Sequence, residues 1–247
     1  MSAPRVILIT GAASGIGRAT ALRFARMGEV VALADINGEG LEETRALLPE
    51  GAVASLHTVD ISQPEACEAL VAEVVAQHGH LDVLANIAGV IDWTVLGSFT
   101  PAQFNRLVSI NMGSVFFMSQ AAVPHLRKTK GNIVNLGSGA GLVSIAFLGL
   151  YSATKAAVIA MSKSMAMELA ADGVRVNVVC PGAVDTPMNG TQRPEGVVPE
   201  LVARCAPKLG RLIDPDEIAG SIAYLASHDA RSITGAVLAV DCAQTAG

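Results

Sequence analysis

The sequence predicts an α/β protein, a single domain over residues 1–247 built on a doubly wound parallel sheet with helices on both faces. Three observations predict it. Short β-like runs alternate with helix-length amphipathic segments along the chain, which is the rhythm of a parallel sheet. Hydrophobic residues make up 51% of the sequence and charged ones 16%, which excludes a disordered chain and suits strands covered on both faces. No low-complexity linker, internal repeat or abrupt composition shift divides the chain.

The first strand is the apolar run Val6–Thr10, and directly behind it TGAASGIGRAT places glycines at 11, 15 and 17. Glycine is the default residue wherever a chain turns sharply or packs its backbone closely, so these three alone mean only a tight turn. They open a helical segment whose apolar positions Ile16, Ala19, Leu22 and Phe24 suit packing on a sheet. The free N–H groups and positive dipole end of such a helix favour a pyrophosphate. A second strand, Val30–Ala34, leads to Asp35, about 20 residues on, where dinucleotide folds place a carboxylate on the adenosine ribose. The two features together predict a Rossmann-type site. Gly11, Ser14, Gly15, Ile16 and Gly17 would lie at the phosphates, and Asp35 and Ile36 at the adenosine. A carboxylate repels a 2′-phosphate and neither Ser14, Ile36 nor Asn37 supplies a cation, so NAD is expected over NADP.

Further strands are expected at Val53–Val59, Leu81–Ala85, Asn132–Leu136, Val174–Cys180 and Val237–Val240. Helices start at Thr100-Pro101 and Asp214-Pro215, where a capping side chain precedes a proline tolerated in the first turn. At Asp214 the box closes with Glu217. Pro181 to Pro207 holds five prolines and three glycines, and a segment from about 185 to 212 reads as a flap over the sheet's C-terminal edge or as an ordinary surface loop.

The run YSATK puts Tyr151 and Lys155 four residues apart, on one face of a helix continuing through Met167. Bringing a tyrosine from about 10 to near 7 requires roughly 4 kcal/mol of preference for phenolate, at ~1.36 kcal/mol per unit. One cation near ~4 Å supplies about that much at an effective dielectric of ~20. Lys155 could therefore make Tyr151 a usable base toward an alcohol, with an oxidised nicotinamide pushing the same way. Such pairs also occur as plain surface neighbours.

A net charge of −5, with no basic tract, excludes nucleic acid as a partner. Cys67, Cys180, Cys205 and Cys242 are scattered without C-x-x-C pairs or histidines at ligand spacing, so neither a metal site nor a disulfide framework is expected. The run after Arg5 is too brief for a signal peptide, and the apolar stretch Leu142–Leu150 falls well short of a ~20-residue span, so no membrane partner and a cytoplasmic location are expected.

TGAASGIG at 10–17, NIAG at 86–89, Asn111, Ser138, YSATK at 151–155 and PGAVDTPM at 181–188 together resemble the short-chain dehydrogenase/reductase family. The resemblance covers nearly the whole chain. It implies that Ser138 polarises the substrate oxygen, that Tyr151 is the acid/base, and that Lys155 holds the nicotinamide ribose and lowers the tyrosine pKa. Asn111 would connect Lys155 to solvent through a bound water. Hydride would pass directly between substrate carbon and nicotinamide. Asp60 and Ile61 would border the adenine, and Asn86, Ala88 and Gly89 the adenosine ribose. Pro181, Gly182, Val184 and Thr186 would face the nicotinamide and phosphates.

The sequence departs from the family pattern at Ile87, where a second Asn is common, at Gly137, where a Ser is common, and at Cys242-Ala243, where two glycines are common. The last puts the C-terminal turn in question. Relatives line the substrate pocket with residues after the catalytic Ser, after NAG and in the flap. Here Trp93, Leu142, Val143, Ile145, Phe147 and Met188 make that lining largely apolar. The expected substrate is a small to medium secondary alcohol or ketone. The resemblance also implies a homotetramer that pairs the helices carrying Asn111 and Tyr151. An acyl-carrier-protein 3-oxoacyl reductase shares every motif but usually takes NADPH, against which Asp35 speaks. A non-catalytic NAD-binding subunit would be marked by loss of Ser, Tyr or Lys, and a sugar-nucleotide epimerase by a longer segment after Cys180.

Overall fold

The computed structural model describes residues 4–203 and 205–246. Seven strands are present: β1 (Val6–Thr10), β2 (Val30–Asp35), β3 (Ala54–Thr58), β4 (Val83–Asn86), β5 (Asn132–Leu136), β6 (Arg175–Pro181) and β7 (Val237–Val240). They form one parallel sheet in the order β3-β2-β1-β4-β5-β6-β7. The winding direction reverses between β1 and β4, and the C-terminal ends of those strands bound the crevice where such sheets bind ligands.

The helices are α1 (Gly15–Arg26), α2 (Gly38–Ala46), α3 (Pro64–His78), α4 (Pro101–Val108), α5 (Ser114–Thr129), α6 (Ala140–Val143), α7 (Gly149–Leu169), α8 (Pro199–Ala203) and α9 (Pro215–Leu225). Alternate residues of each strand feed two separate cores. Ile7, Ile9, Val31 and Leu33 pack with Phe24 of α1 and Ile218 and Ile222 of α9. Val6, Leu8, Ala32 and Ala34 pack with Leu70 of α3, Met118 and Leu126 of α5 and Ala166 of α7. Strands β1, β5 and β7 match the sequence reading residue for residue, while β3 loses one residue at each end and β4 begins only at Val83.

The stripe that α1 buries is Gly17, Thr20, Ala21, Phe24 and Ala25, not the expected set. Phe24 is buried as expected, while Ile16 and Leu22 are only half-buried because small residues, Gly17, Ala21 and Ala25, fill the rest of the stripe and allow close approach. The capping expectations hold. At Asp214 the side chain accepts from Asp216 N at 2.8 Å while Glu217 accepts from Asp214 N at 2.9 Å. Thr100 carries a second box: its hydroxyl accepts from Gln103 N at 3.2 Å and Gln103 accepts from Thr100 N at 2.9 Å.

A π-helical turn, Ser109–Gly113, joins α4 to α5. By length and composition the stretch Pro101–Thr129 could cross a membrane, which reading Leu142–Leu150 alone did not anticipate. Here it is a layer helix whose Met118, Ala122 and Leu126 are buried in the core it shares with β1 and α3.

Candidate active site

The glycine turn is shaped by close approach on two sides. Gly11 has φ +73°, and a Cβ there would stand 2.9 Å from the Ala88 backbone; one on Gly17 would meet Gly11 O at 2.0 Å. Ser14 is the N-cap of α1 yet makes no side-chain cap bond, and the first N–H groups of a helix have no intrahelical partner. The turn therefore presents unsatisfied donors at a positive helix end, which fits a pyrophosphate. Asp35 is tied to the same turn, accepting from Ala13 N at 3.1 Å and from Asn37 N at 3.0 Å. Asp35 thus closes a local turn and braces the glycine loop. A carboxylate has about four lone-pair sites, so two remain for ribose hydroxyls. Ile36 is exposed beside it, and Val59 N bonds Asp35 O at 2.9 Å, bringing the end of β3 alongside. Asp60 accepts from Ser62 N at 3.0 Å ahead of α3, and half-buried Ile61 follows it.

The Asn86 side chain is buried, donating to Asn135 Oδ1 at 2.9 Å and Ser119 Oγ at 3.3 Å. Thr10 holds the loop that follows, accepting from Ile87 N at 3.0 Å and Ala88 N at 3.2 Å. Beyond it, a Cβ on Gly89 would lie 3.4 Å from Lys155 Nζ and 3.2 Å from Asn111 Oδ1.

Ser138 follows the end of β5, and its hydroxyl accepts from Ala140 N at 3.1 Å. The Tyr151 side chain, near the start of α7, comes close enough to that of Ser138 for the serine to favour the phenolate. Lys155 is buried one turn further on, and its Nζ donates to Leu136 O at 2.9 Å while standing 6.0 Å from the centroid of the Tyr151 ring. In the ligand-free chain burial pushes the Tyr151 phenol above its ordinary value, and the Ser138 side chain opposes that rise. Burial brings the Lys155 ammonium down to about 8.

Asn111 is fully buried in the π turn. Its Oδ1 accepts from Val90 N at 2.8 Å, and its Nδ2 donates to Val90 O at 2.9 Å and to Thr154 Oγ1 at 3.3 Å. Its side chain is thus a clamp on the loop after β4.

The segment after β6 leaves and returns at one point. Val184 and Ile213 form a parallel bridge, with Ile213 N bonded to Ala183 O and Asp185 N to Ile213 O, each at 2.9 Å. Between them lie a 3-10 turn, Pro187–Gly190, and the short α8; Arg204 lies outside the described residues. Thr186 sits over the glycine turn, with its Cγ2 3.0 Å from where a Cβ on Gly15 would be. Arg193 stacks on Trp93 at 4.8 Å from the ring centroid, and a Cβ on Gly196 would meet Val95 Cγ2 at 3.3 Å. Trp93 and Ile145 pack against a cluster that contains Tyr151, whereas Leu142, Val143 and Met188 are exposed.

The family model described as enoyl-(acyl carrier protein) reductase matches residues 11–244. Meso-2,3-butanediol dehydrogenase of Serratia marcescens is 40% identical over 246 residues, covering 98% of this chain and 95% of that protein. A 3-oxoacyl-[acyl-carrier-protein] reductase of Thermotoga maritima is 36% identical over 240 residues, with 96% of each covered. A short-chain dehydrogenase from Mycobacterium paratuberculosis, bound to NAD, superposes with a TM-score of 0.91 at 31% identity and 98% coverage of both chains. The chain belongs to the short-chain dehydrogenase/reductase family. Its relatives are dehydrogenases and reductases, and the chain is an oxidoreductase of that family.

The three departures from the family pattern have structural counterparts. Ile87 is core, packed with Ile9 and Leu136. Gly137 faces Cys180: a Cβ there would lie 2.7 Å from its Sγ and 2.9 Å from Val178 Cγ1. The Cys180 side chain therefore occupies the space that a serine at 137 would need. Cys242 and Ala243 keep a left-handed turn without glycine, at φ +51° and +60°. This turn delivers Gln244, which accepts from Ala183 N at 3.2 Å and so braces the loop after β6. Gln244 had no sequence signal, because it acts through a contact made far along the chain, and Thr10 opens the glycine motif without revealing its partners at 87 and 88.

Proposed function

We propose that Tyr151 is the proton donor and acceptor of this oxidoreductase, with Ser138 as its partner on the substrate oxygen and Lys155 and Asn111 holding the surroundings in place. The observation that carries this reading is the proximity of the Ser138 and Tyr151 side chains at the C-terminal edge of β5, beside the buried Lys155. In alcohol oxidation Tyr151 takes the hydroxyl proton, and in ketone reduction it returns it. Ser138 donates to the same oxygen and fixes its position. Bound NAD supplies the hydride acceptor and a positive ring that favours the phenolate.

Gly11 and residues Ser14 to Gly17 would hold the pyrophosphate, Asp35 and Ile36 the adenosine ribose, and Asp60 and Ile61 the adenine edge. Ala88, Gly89 and the Asn86 backbone would border the ribose. Lys155 would bind the nicotinamide ribose, and Pro181, Gly182, Val184 and Thr186 would flank the nicotinamide. The segment 185–212 would cover a substrate lying between Trp93, Met188 and the apolar residues after Ser138. That lining supports a small to medium, largely apolar alcohol or ketone. Exposed Phe104, Phe116 and Met167 on α4, α5 and α7 support a homotetramer paired through these helices, in a cytoplasmic setting.

A panel of secondary alcohols and ketones, read by nicotinamide absorbance with NAD and NADP side by side, tests the reading. Turnover with NAD on uncharged alcohols is expected, and Asp35→Ser should weaken NAD by at least about tenfold, the scale of a lost bond to a charged group. A wild-type preference for NADP, or turnover confined to acyl-carrier thioesters, would contradict it.

A further inference from the structure

Two histidines meet on one buried hydroxyl where α3 packs on the edge strand β3. Ser55 Oγ lies 2.9 Å from Nε2 of His57, on the same strand, and 2.9 Å from Nε2 of His78, the last residue of α3. His57 Nδ1 lies 3.4 Å from Glu73 Oε2, also on α3. Ser55 and the His57 side chain are buried. An ionised carboxylate can only accept, and each neutral imidazole carries a single N–H. One assignment then satisfies all three contacts: His57 Nδ1–H points to Glu73, the Ser55 hydroxyl donates to His57 Nε2, and His78 Nε2–H donates to Ser55 Oγ.

Protonation disrupts this chain. A proton added to His57 enters at Nε2, against the hydroxyl hydrogen, and one added to His78 sets a cation beside His57 and His80. Burial first, and then those two histidines, lowers His78 from its ordinary 6.5. The carboxylates facing the cluster are Glu73, and Asp82 through His80 Nε2 at 3.1 Å; β2 sets Ala32 and Ala34 beside Ser55 and His57. Because β3 is hydrogen bonded to β2 alone, α3 is its second support. The same strand leads into the adenosine edge of the crevice. Val59 N donates to Asp35 O at 2.9 Å, Asp60 and Ile61 follow, and Cys67 Sγ of α3 donates to Ile61 O at 3.3 Å.

We propose that Ser55, His57 and His78 form an acid-sensitive clamp between β3 and α3, and that its release weakens nucleotide binding at the loop carrying Asp60 and Ile61. This rests on the cofactor placement proposed above and adds a regulation to it. Because the folded value of His78 is the lower one, the unfolded chain binds more protons near pH 6.5, so the stability linked to it is present above that pH and is lost as pH falls below it.

The test measures NADH affinity, by the change in nucleotide fluorescence on binding, and the melting temperature at pH 7.5, 6.5 and 5.5 in wild type, Ser55→Ala, His78→Gln and the double variant His57→Gln/His78→Gln. From pH 7.5 to 5.5 wild type should lose about three- to tenfold in affinity, within the factor of about ten that one unit of pKa difference between bound and free protein allows, and its melting temperature should fall. The double variant should stay within about twofold across the range, having no imidazole in the cluster to titrate. His78→Gln, whose amide still donates to Ser55, should show a shallower dependence than wild type, and it decides the matter if the double variant does not fold. Ser55→Ala, which removes the shared hydroxyl, should bind at pH 7.5 as weakly as wild type does at pH 5.5. A wild-type affinity independent of pH, or an unchanged dependence in the histidine variants, would overturn the proposal while leaving the cofactor reading intact. A wild type that binds no NADH at pH 7.5 would overturn the cofactor placement and the coupling with it.

Discussion

The Lys155 ammonium donates to the Leu136 carbonyl oxygen at 2.9 Å, so the cation is anchored to the end of β5 rather than to the phenol. Burial lowers it from 10.5 to about 8. The folded value lies below the unfolded one, so the unfolded chain binds more protons between them and stability should rise with pH across about 8 to 10.5. Lys155→Met removes this titration. Urea midpoints of wild type and variant, measured from pH 7 to 10.5, should shift in favour of wild type as pH increases. A constant offset across that range would contradict a buried charge.

The Ser138 side chain beside Tyr151 acts to lower the phenol against the rise that burial causes. Tyr151→Phe is expected to reduce kcat by about 10³-fold, within the range for removing a general acid/base. NADH affinity, read by the change in nucleotide fluorescence on binding, should stay within twofold. Ser138→Ala should move the rising limb of the oxidation pH profile to higher pH. Unchanged pH dependence in Ser138→Ala would show that the serine acts only on substrate.

Gly137 and Cys180 form a complementary pair. Gly137→Ala places a methyl 2.7 Å from a buried sulfur, and overpacking of this kind is expected to destabilise by about 1–3 kcal/mol. Cys180→Ala opens the space, so the double variant should recover part of the loss. Chemical denaturation of the four proteins measures the coupling, and strict additivity would remove the packing explanation for this departure.

Much of the fold was legible because its signals are local. Val6–Thr10 and Asn132–Leu136 are continuous apolar runs bounded by turn residues, and both caps at Thr100 and Asp214 are readable within four residues. What escaped is tertiary. The burial of Gly17 and Ala21 in place of Ile16 and Leu22 depends on how closely α1 approaches the sheet, which periodicity alone does not encode. Tyr151 and Lys155 were correctly placed on one helix, yet the direction of the phenol's shift depends on burial and on Leu136 O, neither visible in YSATK. Asn86 and Asn111 were recognisable as polar residues in motif positions, but their partners Asn135 and Val90 lie dozens of residues and about twenty residues away, respectively, in the chain.

Cys242 and Ala243 adopt the left-handed conformation that two glycines would take at no steric penalty. A side chain in that region is disfavoured by about 1–2 kcal/mol, while glycine loses roughly 0.4–1 kcal/mol through the greater freedom of the unfolded chain. The balance favours glycine slightly. Cys242→Gly and Ala243→Gly should therefore each raise the melting temperature by about 2–4 °C, the shift that a ~1 kcal/mol gain produces at this size. The turn also carries function, since Cys242 O accepts from Lys208 N at 2.8 Å and Gln244 accepts from Ala183 N at 3.2 Å. If the strained turn serves to hold Gln244 against the loop after β6, Gln244→Ala should raise KM for NAD or substrate with little change in the melting temperature, and Gln244→Glu, which keeps the acceptor, should restore it. A fall in stability with unchanged KM would make Gln244 a packing residue only.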